Sequence, residues 1–445
     1  MKGNITMEKT ELKYGKSKVE ISFDGAKSVK TLLENPMREI EDIEKEFRYC
    51  VEDGVIGSKP LKEIISPADP VTIVISDLTR FWMRQDVICE LLVKYLHEEM
   101  GVPFENIAVV IALGTHRKNS EEERKTLAGE YVFNNVSMVV DHDCDADDLV
   151  YVGETSLGTR VEVNPLALGR KLIVISGTVH HIMAGYGGGR KSIIPGIASR
   201  QTIKENHIRA LDPVKPMSDE RVGSGRVLEN PINLDMEEAG RLVEPNFGIN
   251  ICVNSASKHS GLFCGDFDKA WKASCLYIQK SYGLPIDHEA DIVFVSCGGF
   301  PKDLNFYQST KSLFNAIKAL KKGGTVVMLA ECPEGSGARD FFDWIVPLRE
   351  GHLDESLRKD FTIGGYIFYA ACEAIKKGNI LLLSNIEPNE VKAMGVTAFS
   401  DINELMKHAD TKGKDVYVIP YGGSVVPQLK EEYDRLIREL STTEE

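Results

Sequence analysis

The chain has 445 residues, 42% of them hydrophobic and 27% charged, and a formal net charge of −14. This is the composition of a soluble globular protein of two or three domains. The acidic balance excludes a general nucleic-acid or anionic-membrane binder, yet allows a local basic pocket for a small anion. No stretch approaches the ~20 apolar residues that span a bilayer, and the N-terminus lacks the apolar core of a secretion signal. Nine scattered cysteines without a C-x-x-C fit reduced thiols, so a cytoplasmic protein is expected.

In chain order, "VTIVIS" (71–76) reads as a strand and is followed by a helix over about 84–99. "IAVVIA" (107–112) precedes a helix opening at Ser120, where Ser120 and Glu123 have capping-box spacing. "SMVV" (137–140) and "LIVIS" (172–176) continue the series. A stretch rich in Pro, Gly and Asn follows at 223–242, and 281–291 reads as a connector. A second series begins with "DIVFVS" (291–296) and runs through "GTVVML" (324–329), "NILLL" (379–383) and "DVYVI" (415–419). Short β-branched runs alternating with helices predict parallel sheets buried on both faces. The expected fold is therefore α/β. It has two domains, 1–280 and 281–445, each a mainly parallel sheet flanked by helices, with the final helix free to pack back on the first domain.

Ligands of open α/β sheets bind beyond the carboxyl ends of the strands. The strand 71–76 runs into Asp77, Thr79 and Arg80; the strand 107–112 runs into Thr115, His116 and Arg117; the strand 172–176 runs into "GTVHH" with His180 and His181. Three strand ends carrying Asp, Arg and His mark a site. The following "GYGGGRKS" is not a Walker A loop, because Arg190 stands before Lys191, and it lacks the third glycine of G-x-G-x-x-G. Gly187, Gly188 and Gly189 still let backbone N–H groups approach an anion, with Arg190 and Lys191 adding charge. The competing reading is a mobile glycine loop with solvated basic residues. His207 alone reads as a structural histidine, and no histidine spacing declares a metal. His142 reads as a solvated loop residue; His97, His259, His288, His352 and His408 read as structural. Tyr307 and Lys311, four apart at a helix start with Gln308 beside them, could hold a carboxylate; the bland reading is an exposed polar face.

Taken together, "SDLTR" (76–80), "GTHRK" (114–118), "HIMAGYGGGRKSIIPG" (181–196) and "YQSTK" (307–311) resemble the nickel-dependent lactate racemase family over essentially the whole chain. The resemblance implies a nickel pincer nucleotide, a pyridinium mononucleotide holding nickel between two sulfur atoms. It implies a thioamide link at Lys191, His207 as the protein ligand to nickel, and His116 and His181 as acid/base histidines. Arg80, Tyr307, Gln308 and Lys311 would hold substrate. Asp77 and Thr79 would lie beside the cofactor or orient its neighbours, and the glycine turn would receive the phosphate. Cofactor-synthesis proteins are implied as maturation partners, and a cleft between the domains as the active site.

Such a site suits inversion of C2 in a 2-hydroxy carboxylate. Proton abstraction beside a carboxylate is hard, whereas removal of hydride leaves a planar 2-keto acid that can be reduced on either face. Imidazoles titrate near neutrality, and Arg can grip a carboxylate through two hydrogen bonds. The stretch 361–372 lacks the tryptophan that lactate-specific relatives place against substrate, and Trp344 does not replace it, which points to a larger acid. The alternatives are C2 epimerisation of a sugar acid such as gluconate, and a non-catalytic nucleotide or metal-cofactor carrier. A carrier has no use for both His116 and His181. A phosphotransferase is disfavoured by the missing Walker A spacing.

Overall fold

The computed structural model of the chain describes residues 9–337 and 339–442. Two six-stranded sheets organise it. Their strands, in chain order, are β1 (Ser28–Thr31), β2 (Val71–Ser76), β3 (Ile107–Ala112), β4 (Met138–Asp141), β5 (Lys171–Gly177), β6 (Phe247–Val253), β7 (His259–Gly265), β8 (Ala290–Ser296), β9 (Leu320–Leu329), β10 (Asn379–Leu383), β11 (Val396–Phe399) and β12 (Asp415–Ile419).

The first sheet has the order β7-β6-β5-β2-β3-β4. Every pair is parallel except β6 with β7 at the edge. The central runs Val71–Ile75 and Ile107–Ile111 are fully buried, as expected of apolar strands covered on both faces. Alternate side chains, Val71, Ile73 and Ile75 with Ile107, Val109 and Ile111, pack with Ile88, Leu92, Leu127, Phe247 and Ile249 into one core. The capping box forms as read: Ser120 Oγ accepts from Glu123 N–H, and the Glu123 carboxylate accepts from Ser120 N–H, opening the helix Glu121–Ala128.

The second sheet, β11-β10-β9-β8-β12-β1, is parallel throughout. Its first strand comes from far upstream: β1 pairs with β12, Val29 opposite Val416. The preceding hairpin Lys9–Tyr14 and Ser17–Ser22 contributes Leu12 and Ile21 to the core of this sheet, beside Ile292, Phe294 and Val418.

The chain accordingly divides into two compact units that are not contiguous in sequence. One gathers the stretch up to Asn35, Ala210–Glu220 and Lys280–Leu436; the other gathers Pro36–Arg209, Arg221–Gln279 and the stretch from Ile437. This differs from the simple division at 280. The physical reason is the strand pairing that draws the N-terminal segment into the second sheet, together with the anchoring of 210–220. There Arg358 Nη1 donates to Asp212 O at 2.8 Å and Nη2 to Lys215 O at 2.7 Å. The Pro- and Asn-rich stretch contains a helix, Pro231–Val243, capped by Asn230. Within the supposed connector, Gly283–Ile286 forms a short strand paired with Val426–Leu429. Among the described residues, no helix is long and apolar enough to cross a membrane.

Candidate functional site

The chain lays β3 and β4 outward from β2 on one side, then returns to place β5 on the other. The order therefore reverses between β2 and β5, and the crevice beyond the carboxyl ends at such a reversal is where α/β sheets bind ligands. Asp77 and Arg80 follow β2, His116 follows β3 and His181 follows β5. The two histidines thus flank the strand end that carries the arginine.

Asp77 is buried, 6% exposed, and organises its neighbours. Its Oδ2 accepts a hydrogen bond from His116 Nδ1. Thr79 Oγ1 donates to Asp77 Oδ1 at 2.8 Å, and Arg80 Nη1 donates to Thr79 Oγ1 at 3.1 Å. Burial pushes the Asp77 carboxyl up, but the contact with His116, the charge of Arg80 and the Thr79 hydroxyl outweigh it and hold the group below the usual carboxylate range. The His116 side chain itself is 56% exposed. Among the described residues, no carboxylate forms an ion pair with Arg80 within 4 Å.

Beyond β5, His180 and His181 pair with Tyr186 and Gly185 in a tight hairpin. His181 Nδ1 accepts from the backbone N–H groups of Met183 and Ala184, both at 3.2 Å. The glycine turn that follows is shaped by close packing. Gly188 has φ +76°, and a Cβ there would lie 2.8 Å from Gly177 O. Gly189 has φ +50°, and a Cβ there would lie 2.5 Å from the Trp271 ring. Both conformations and both approaches require glycine.

Two of the three glycine amides read as a phosphate cradle bond within the protein. Gly187 N–H donates to Val179 O at 2.8 Å, and Gly189 N–H donates to Ser176 Oγ at 2.7 Å. Arg190 likewise departs from expectation. It is 1% exposed and points inward, 2.9 Å from Glu237 and 2.9 Å from Asp268, 3.2 Å from Asn233 Oδ1, with its guanidinium 4.2 Å from the Trp271 ring centroid. Its charge locks the loop to two helices and is not offered to a ligand.

Lys191, the next residue, behaves in the opposite way. Among the described residues no carboxylate pairs with it. Desolvation, and then the charge of Arg80, lower its ammonium from the usual 10.5 to about 7. His207 ends the helix Arg200–His207 and is 1% exposed. Its Nδ1–H donates to Ile203 O at 3.0 Å, which leaves the lone pair on Nε2. Burial, and then the charge of Lys191, push the imidazole down to about 3, against the opposing effect of the Ile203 bond. The ring is neutral at every physiological pH, the form in which imidazole binds metals.

In the other unit, Asn305 Oδ1 caps the helix Phe306–Lys318 by accepting from Gln308 N–H at 3.0 Å. Lys311 Nζ donates to Gln308 Oε1 at 2.9 Å, and the Tyr307 ring lies 5.3 Å from that of Phe341. Tyr307 and Lys311, four apart, share one helix face, and Gln308 sits beside them within reach of Lys311.

Residues 14–218 match the family model described as the lactate racemase N-terminal domain, and residues 286–427 match the lactate racemase C-terminal domain. A lactate racemase from Lactiplantibacillus plantarum is 30% identical over 88% of this chain and 92% of its own length. The chain belongs to the lactate racemase family. It is therefore an isomerase of the racemase type. A second lactate racemase, from Thermoanaerobacterium thermosaccharolyticum, is 27% identical over 95% of this chain and 100% of its own length. The solved lactate racemase apoprotein from that organism superposes with a TM-score of 0.81 at 26% identity, covering 94% of this chain and 100% of that one.

Within this lactate racemase scaffold, some important residues gave no sequence signal. Trp271 seats both Gly189 and Arg190, and its Nε1–H donates to Gly187 O at 3.0 Å, but it lies on a helix about 80 residues downstream of the loop. His142 is a structural residue and not a solvated one: it is 1% exposed and its Nε2 meets Ala198 O at 2.9 Å.

Proposed function

We propose that this protein inverts C2 of a 2-hydroxy carboxylate, in the manner of the lactate racemases it is related to, by reversible removal of hydride to a nickel pincer nucleotide. What supports the reading is one cluster. A carboxylate-backed imidazole, a guanidinium that no carboxylate pairs with among the described residues, and a lysine lowered to about 7 beside a neutral histidine gather at a strand-order reversal.

The donor chemistry fits the cofactor. His207 has an unprotonated Nε2 suited to nickel, and Lys191 is an amine at neutral pH, suited to a covalent thioamide tether. When bound, the group supplies a reversible acceptor for the C2 hydrogen with its bonding electron pair. The chain supplies the rest. Arg80 binds the substrate carboxylate, with Tyr307, Gln308 and Lys311 as further anchors. Asp77 holds the His116 ring so that Nε2 faces outward, and Thr79 fixes the Asp77 carboxylate. His116 and His181 meet the substrate hydroxyl. Cofactor-synthesis proteins load the cofactor.

The test is incubation of the loaded protein with a panel of chiral 2-hydroxy acids, lactate and gluconate included, in deuterated water, followed by chiral chromatography and mass analysis. Inversion at C2 without deuterium entering C2 is the expected result. Deuterium at C2, or full activity of protein made without the cofactor-synthesis proteins, refutes the reading.

A further inference from the structure

We infer that Asp235 is a positioning residue for the metal ligand: its buried carboxylate holds the chain on both sides of His207 and so fixes where the Nε2 lone pair points. This rests on the cofactor reading above and adds a residue to it.

His207 sits where the chain has little support of its own. It ends the helix Arg200–His207, the backbone turns through Ile208–Ala210, and at Ala210 the chain passes from one compact unit to the other. Helix ends fray unless something holds them, but a metal ligand must keep its place to within about 0.5 Å. The bond from His207 Nδ1–H to Ile203 O sets the ring against its own helix and does not anchor the helix end.

The anchor is a polar cluster within the same unit. Asp235 lies on the helix Pro231–Val243 and is fully buried, as are Asn206 and Thr159. Asp235 Oδ2 accepts from Asn206 Nδ2 at 2.8 Å, and that amide also donates to Ile232 O at 3.1 Å. These bonds tie the residue before His207 to the neighbouring helix. The same Oδ2 accepts from Thr159 Oγ1 at 2.7 Å, and Thr159 Oγ1 in turn accepts from Arg209 Nη2 at 2.9 Å. Arg209 Nε lies 3.5 Å from Oδ2. One carboxylate oxygen thus gathers the ties to Asn206 and to Arg209. The other, Oδ1, accepts from Thr155 Oγ1 at 2.5 Å, a bond that involves neither of them.

A buried carboxylate is costly unless its partners are in place, so such a cluster favours one arrangement. Groups that orient a ligand histidine set metal affinity, and loss of one costs about tenfold to a hundredfold.

The test separates the ties to His207 from the rest of the cluster. Asn206→Leu keeps the volume and removes the ties on one side of His207. Asp235→Ala removes the hub. Thr155→Val removes a buried bond to the same carboxylate but leaves Asn206 and Arg209 held. In the loaded protein, loss of nickel to EDTA, followed by metal analysis, should run at least about tenfold faster in Asn206→Leu and Asp235→Ala, and within about twofold of wild type in Thr155→Val. Melting temperatures of the apoproteins should fall in all three. A merely structural cluster would shed metal in step with stability, so nickel loss in Thr155→Val as fast as in Asn206→Leu overturns the inference, as does wild-type retention in Asn206→Leu. If Asp235→Ala does not fold, that pair decides. Hydrogen exchange of the apoprotein gives a reading free of cofactor: the amides of 206–210 should exchange faster in Asn206→Leu than in Thr155→Val, and equal exchange overturns the inference. Wild-type protein that holds no nickel after production with the cofactor-synthesis proteins defeats the cofactor reading instead, while the exchange result stands.

Discussion

Lys191 offers a quantitative check on the electrostatics of the site. An ordinary lysine titrates at 10.5, so at pH 7.5 about one in a thousand is neutral. Lowered to about 7 by desolvation and the neighbouring Arg80, about three-quarters of Lys191 is neutral at that pH, an increase of several hundredfold in reactive amine. Cyanate reacts with neutral amines and is small enough for a partly buried side chain. Carbamylation of the apoprotein, followed by peptide mass spectrometry across pH 5.5–10, should give a rate for Lys191 with a midpoint near 7. Surface lysines such as Lys9, which is raised by its contact with Glu20, should still be climbing at the upper end. Arg80→Met removes the second cause and should move the Lys191 midpoint upward. A Lys191 midpoint near 10 in the wild-type protein would refute the claim that the site holds this amine ready for the proposed tether.

Asp77→Asn should leave cofactor content and KM nearly unchanged but lower kcat by about 10³–10⁴, since an amide facing Nδ1 shifts the His116 proton to Nε2; steady-state kinetics check this. His207→Ala should lose nickel while retaining the mass increment on Lys191, read by metal analysis beside intact-protein mass. Arg190→Met removes the cation shared by Glu237 and Asp268; Asp268 is partly exposed and Glu237 keeps Arg241, so the loss is about 1–3 kcal/mol. Its melting temperature should fall in the apoprotein as well as the loaded form, and a defect confined to cofactor binding would contradict its structural role.

The rim of the first sheet was legible because its chemistry interrupts a simple pattern. Buried, largely apolar strands lead within a few residues to Asp77, His116 and His181, and strand ends are where such sheets bind ligands. The cap at Ser120 was equally local, since its hydroxyl accepts from a backbone N–H three residues ahead. Arg190 was not legible. Arg190 and Lys191 are adjacent basic residues, but they serve opposite ends, and the difference is set by Trp271, Glu237 and Asp268 on distant helices. Strand β6, "FGINICV", was missed because Gly248 and Asn250 interrupt its apolar run, although every residue in it is buried. Strand β1 was missed because Ser28 and Lys30 give it no apolar signature, and its pairing with β12 spans nearly the whole chain.

That last pairing sets an order of events during synthesis. The β1 strand leaves the ribosome well before β12, its neighbour in the sheet, which follows more than 380 residues later. At about 5–20 residues per second, β1 waits for about twenty to eighty seconds before its partner exists. A long apolar strand exposed for that time would invite pairing with other nascent chains. Four residues with one valine and one lysine make a poor template for such contacts, so the sheet can be closed last by the strand that was made first.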